Sequence, residues 1–155
     1  MSDATLNSAD PALSADERRS LRALAGLMIP ASADYDVPGA DDETIFTDIV
    51  DSLGRDADPV RRALRCVNAL SGRAFADLNA NEQQVVARQF RDENPPLAAV
   101  LAEVTVRCYY RDDRVMRSLG MEPRPPFPKG FEVEPGDWAL LDPVRARSKI
   151  YRDVP

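Results

Sequence analysis

Apolar positions recur along most of this chain at helical spacing, separated by short polar or proline-marked breaks. Ser14-Ala15-Asp16-Glu17 places a capping serine three residues before a glutamate, and Leu21, Leu24, Ala25 and Met28 then repeat at i, i+3, i+4 and i+7. That pattern predicts a first helix stopped by Pro30. Residues 30–41 read as an acidic loop with Pro38-Gly39 as its turn. Ile45, Ile49 and Leu53, flanked by Phe46 and Val50, predict a second helix from about Asp42 to Leu53, closed by Gly54. Asp58-Pro59 is expected to restart the chain as N-cap and first helical residue, with Val60, Leu64, Val67 and Leu70 inward.

Asn79 and Glu82 repeat the capping-box spacing ahead of Val85, Val86 and Phe90. Asn94-Pro95-Pro96 opens a fifth helix carrying Leu97, Val100, Leu101, Val104 and Cys108, and Asp112 caps a short sixth one with Val115, Met116 and Leu119, closed by Gly120. The expectation is an all-α domain of about six short helices over residues 14–120, preceded by a flexible arm at 1–13.

Beyond Gly120 the pattern changes. Residues 121–155 hold seven of the 13 prolines, which excludes a long helix. They also carry Phe127, Phe131, Trp138, Leu140, Leu141, Val144, Ile150 and Tyr151, too many large apolar side chains for a disordered tail. This segment is expected to be an extended, aromatic-anchored arm, with one further helical turn at Asp142-Pro143. Ordering it costs roughly 1 kcal/mol or more per residue, and eight anchors at about 1.5–3 kcal/mol each recover about half of that. The arm therefore needs further contacts, on its own helical body or on another protein, and the sequence leaves both open.

Composition narrows the chemistry. The chain has 155 residues, a formal charge of -6 and no histidine. Serine and cysteine triads, HExxH zinc sites and c-type haem attachment all require imidazole and are excluded. Two cysteines, Cys66 and Cys108, are too few for a thiolate zinc site or an iron–sulfur cluster, and they are expected as two buried free thiols rather than a disulfide. The glycines make neither GxGxxG nor a Walker loop. Thirteen of the 26 acids fall in residues 1–60 against four bases, which argues against nucleic acid as a partner. No apolar run of about 18 residues predicts a membrane span. Arg18-Arg19 before Leu21–Ile29 reads as the exposed edge of an amphipathic helix rather than a twin-arginine signal, so the cytoplasm is the expected compartment.

The acidic runs Asp41-Asp42-Glu43, Asp56/Asp58 and Asp112-Asp113 read as caps and solvated loops rather than metal ligands. In the dense stretch from Cys108 to Val115, Tyr110 and Arg114 are candidates to face a ligand or partner. The competing expectation packs the tyrosines at the helix end and pairs Arg114 with a carboxylate. Arg145, Arg147, Lys149 and Arg152 read as a solvated edge, or as the rim of an apolar protein contact.

Three segments occur in an order that resembles a known family: Leu24-Ala25-Gly26-Leu27-Met28-Ile29-Pro30-Ala31, Phe75-Ala76-Asp77-Leu78-Asn79, and Tyr109-Tyr110-Arg111-Asp112-Asp113-Arg114-Val115 through Gly120. With Pro126–Phe131 and Asp137–Arg145, they are similar to the small subunit of gluconate 2-dehydrogenase, the subunit 3 family, over roughly residues 20–152. The resemblance implies a non-catalytic partner of a large FAD-dependent oxidoreductase of the glucose–methanol–choline type, which oxidises sugars, polyols or other alcohols. It implies no cofactor or metal in this chain, FAD in the large subunit, and in many members a cytochrome c and export by a twin-arginine signal. This chain departs from the last feature, which leaves export through a signal on the large subunit as the alternative to the cytoplasm. The contact anchors expected on this reading are Phe127, Phe131, Trp138, Leu141 and Tyr151, with Tyr110 and Arg114 as lesser ones. The rival readings are a stand-alone helical adaptor or regulator without a redox partner, and a metal-dependent hydrolase working through carboxylates and tyrosine.

Overall fold

The computed structural model describes residues 13–125, 127, 130 and 135–149. Among these there are seven α-helices and no strand, so the chain is all-α. They are α1 (Ala15–Met28), α2 (Glu43–Asp51), α3 (Ala57–Ser71), α4 (Ala80–Glu93), α5 (Pro95–Tyr109), α6 (Asp113–Ser118) and α7 (Asp142–Arg145). The chain divides into two compact units, residues 1–123 and 124–155.

The first unit is a helical bundle. α1 packs on α2, α3 and α4, and α5 packs on α2, α3 and α4. Leu21, Ile45, Ile49, Val60, Leu64, Val67 and Val104 are all fully withdrawn from water at their junctions. Leu13, only 6% exposed, joins this core, so the packed body begins one residue before the expected boundary.

Both capping boxes form. The Ser14 hydroxyl accepts from the Glu17 amide at 3.2 Å while the Ser14 amide donates to the Glu17 carboxylate at 2.8 Å. Asn79 and Glu82 repeat the exchange at 3.0 and 2.9 Å. α5 starts at Pro95, where a missing amide leaves no donor unsatisfied.

The junction between α2 and α3 differs from expectation. α2 ends at Asp51, and Gly54, at φ +46°, opens a 3-10 turn (Gly54–Asp56) rather than capping α2 directly. That turn runs straight into α3 at Ala57, so Asp58-Pro59 lies inside the helix. The tight turn lets both Leu53 and Ala57 face the core, and the Asp58 carboxylate pairs with Arg61 at 2.9 Å instead of capping. On α4, Val86 and Phe90 turn inward while Val85 is exposed. Leu119 is likewise exposed, because α6 stops at Ser118 before its face returns to the core.

A second 3-10 turn, Phe75–Asp77, buries Phe75 completely. The Asn68 side chain on α3 holds it, accepting from the Phe75 amide at 2.9 Å and from the Ser20 hydroxyl on α1 at 3.4 Å.

Candidate partner-binding surface

The loop joining α1 to α2 is held by residues distant in sequence. Ser32 and Val37 pair as an antiparallel bridge with N···O distances of 3.0 and 3.1 Å. The Tyr109 hydroxyl donates to the Pro38 carbonyl at 3.2 Å. Gly26 and Gly39 sit against Asp41 so closely that a Cβ at Gly26 would lie 2.8 Å from the Asp41 carboxyl carbon.

Arg114 locks the far end of this loop. Its guanidinium donates to Asp42 at 2.7 Å and to Asp112 at 2.9 Å. Each of those carboxylates is also a helix cap: Asp42 accepts from the Thr44 and Ile45 amides of α2, and Asp112 from the Arg114 amide of α6. The Arg114 hydrogen bond holds both carboxyls below the usual aspartate range against the opposing effect of burial. The same bonds raise Arg114 further still. This guanidinium is committed to structure, which agrees with the carboxylate pairing weighed from the sequence.

Arg111 makes a parallel clamp on Asp48 of α2, at 2.6 Å, and reaches Ser52 at 2.8 Å. Burial pushes the Asp48 carboxyl upward, but the bonds and charge of Arg111 outweigh it and leave a net lowering. Cys108 lies beside this clamp, 3.6 Å from an Arg111 nitrogen, and burial followed by the charge of Asp48 pushes its thiol up. A thiol so held stays protonated and is a poor nucleophile. Cys66 and Cys108 are both free, as expected, although Cys66 is half-buried rather than buried. Tyr110 is 53% exposed, its ring edge-on to Tyr109 with centroids 5.3 Å apart.

The three segments of the helical unit that carry the family resemblance thus serve its own packing. Leu24 to Ala31 forms the α1 end and loop entry, Phe75 fills the core, and Tyr109, Arg111 and Arg114 hold α2 and its preceding loop.

Among the described residues no group of three His, Cys, Asp or Glu side chains is placed to hold a metal ion, and no helix is long and apolar enough to cross a membrane.

The second unit has a different surface. Arg124 donates to the Gly130 carbonyl at 2.6 Å, where Gly130 adopts φ +71°. The Asp137 carboxylate then caps a 3-10 turn, Trp138–Leu141, by accepting from the Ala139 amide at 2.9 Å. That turn continues into α7, so the further helical turn expected at Asp142-Pro143 is present. All described residues from 135 to 149 are exposed. Of the anchors chosen from sequence, Phe127 is 83% exposed, Trp138 65% and Leu141 40%. Phe131 and Tyr151 lie outside the described residues. Leu140 and Val144, large apolar side chains of the arm outside the narrower set of expected contact anchors, are 75% and 56% exposed. Their signal was the Asp137 cap followed by Asp142-Pro143, which makes one helical segment on which positions 140 and 144 align.

Scans for a matching protein-family model, a similar curated protein and a similar solved structure each found none.

Proposed function

We propose that this chain is the non-catalytic small subunit of a flavoprotein oxidoreductase complex, binding and stabilising a large FAD-dependent subunit that oxidises sugars, polyols or other alcohols. The observation that carries this reading is the helical stretch Trp138–Arg145, which exposes Trp138, Leu140, Leu141 and Val144 together. Apolar side chains left in water contribute nothing to the chain's own stability. A tryptophan among aliphatic neighbours, bordered by Arg145, Arg147 and Lys149, has instead the composition of a binding hot spot and its rim.

The identity of the partner follows from the resemblance of residues 24–31, 75–79 and 109–120 to the subunit 3 family. FAD, the reacting groups and the substrate pocket then belong to the large chain, and a cytochrome c completes the complex where electrons enter a respiratory chain. This chain acts by linkage: it binds only the folded large subunit and shifts that subunit's folding equilibrium. At a concentration about a hundred times Kd the gain is roughly 2.7 kcal/mol.

The test is purification of the tagged chain from its native host, followed by size exclusion, mass spectrometry and a visible absorbance scan. A yellow partner of several hundred residues should co-elute. Trp138→Ala should lower its recovery while the helical circular dichroism stays unchanged. A colourless chain eluting alone sinks the proposal and leaves a stand-alone adaptor. Undiminished recovery with Trp138→Ala removes the arm from the interface.

A further inference from the structure

The helical unit has an exposed apolar surface of its own. The end of α1 and the facing sides of α4 and α5 border a groove of about 810 Å³. Leu24 and Leu101 form its buried floor, while Met28, Ala99, Ala102 and Val106 line it from exposed positions. Ala99, Ala102 and Val106 recur at i, i+3 and i+7, so they share one face of α5. Pro95 and Val106 both border the groove, which therefore runs about 16 Å along that helix, or three turns.

Charge distinguishes this groove from a merely unfinished surface. The chain carries a formal charge of -6, yet among the described residues no aspartate or glutamate lines the groove and two arginines, Arg88 and Arg91 of α4, do. Arg88 has no ion pair or hydrogen bond among the described residues, and Arg91 reaches only its neighbour Asp92 at 3.3 Å. They stand at i and i+3, one helical turn apart, the spacing of two carboxylates on a facing helix.

We propose that this groove docks an acidic amphipathic helix of a partner protein. The apolar face of that helix would seat on Leu24, Leu101 and the alanine face of α5, and acids beside it would meet Arg88 and Arg91. A helix suits the groove better than a small apolar ligand does. The groove is only partly enclosed, whereas small-molecule sites bury about 70–90% of their ligand. A helix needs only one face covered. The inference rests on the helical unit alone and holds whether or not the partner is a flavoprotein.

The test is nuclear magnetic resonance titration of the full chain with a synthetic amphipathic peptide of about three helical turns. One version carries leucines on one face with flanking glutamates, and its twin has lysine at every glutamate. The glutamate peptide should shift the amides of Ala99, Ala102 and Val106 and bind about tenfold tighter than its lysine twin. The double variant R88E/R91E should invert that order, and Ala102→Trp, which fills the groove, should abolish binding of both. All three positions are exposed, so circular dichroism should remain that of the wild type. Equal binding of the two peptides, or an order unchanged in R88E/R91E, overturns the proposal. So does self-association that shifts the same amides without peptide, which assigns the groove to a second copy. A saturable response to dodecanoate with none to the glutamate peptide would make it a site for a small amphiphile instead.

Discussion

In the helical unit Leu21, Ile49, Val60, Leu64 and Val67 are wholly withdrawn from water, whereas Trp138, Leu140 and Val144 stand in it, although all of them lie on helical turns. Local helical signals are therefore equally good in the two regions, and what separates them is whether a second helix covers the apolar face. α1, α3, α4 and α5 each pack on three other helices, and this mutual coverage is where the unit's tertiary stability originates. The stretch from 138 to 145 is two short turns with no buried residue, too short to persist on propensity alone. A body with its own buried core and an arm whose described apolar side chains are exposed suits the docking role proposed above.

Substitutions should reveal that division as a steep gradient in cost. Phe75→Ala empties a fully buried position and should destabilise the chain by about 3–5 kcal/mol, read from urea denaturation midpoints. A cost under 1 kcal/mol would mean the Phe75–Asp77 turn is not part of the core. Gly39→Ala comes next, at about 1–3 kcal/mol. Its Cβ would run into the Asp41 carboxylate and approach the Ala31 backbone nitrogen to 2.9 Å, and backbone cannot swing aside.

Arg114→Ala should cost about 1 kcal/mol at neutral pH, a modest figure because its side chain is 43% exposed. Asp42 and Asp112 are held below their unfolded values, so their contribution is complete above about pH 4 and disappears as pH falls through the lower folded values. The gap between wild type and Arg114→Ala should accordingly narrow progressively as the pH falls below about 4. A gap that persists at the acid end would show that Arg114 acts through packing instead. Smallest of all, Trp138→Ala should change the stability of the isolated chain by less than about 0.5 kcal/mol. A larger loss would erase the contrast between body and arm.

The helices were legible because their starts are written in short-range chemistry. Ser14 with Glu17, Asn79 with Glu82, Pro95 and Asp112 each satisfy or remove orphan amides within three residues. The α2–α3 junction was not legible, since Asp58-Pro59 suits both an N-cap pair and a first turn. Burial of Leu53 and Ala57 decides between them, and burial is a tertiary fact. Asn68 gave no sign of its role, because its partners Ser20 and Phe75 are brought to it by packing. For the candidate surface, Trp138 and Phe127 were visible as large side chains in a proline-rich segment. Leu140 and Val144 were visible in the same way, but their alignment with each other required the helical register. The groove beside Arg88 takes shape only when three helices are assembled.

The Arg114 clamp has a consequence for how the molecule opens. One guanidinium joins the caps of two helices, Asp42 of α2 and Asp112 of α6, which lie far apart in the sequence. Fraying of α2 at its start and of α6 at its start are thereby one event, since releasing Asp42 frees the donor that also steadies Asp112. The two ends should belong to a single cooperative unit in native-state hydrogen exchange. The amides of Thr44, Ile45 and Arg114 would then exchange with one shared opening free energy, and Arg114→Ala would let them exchange independently.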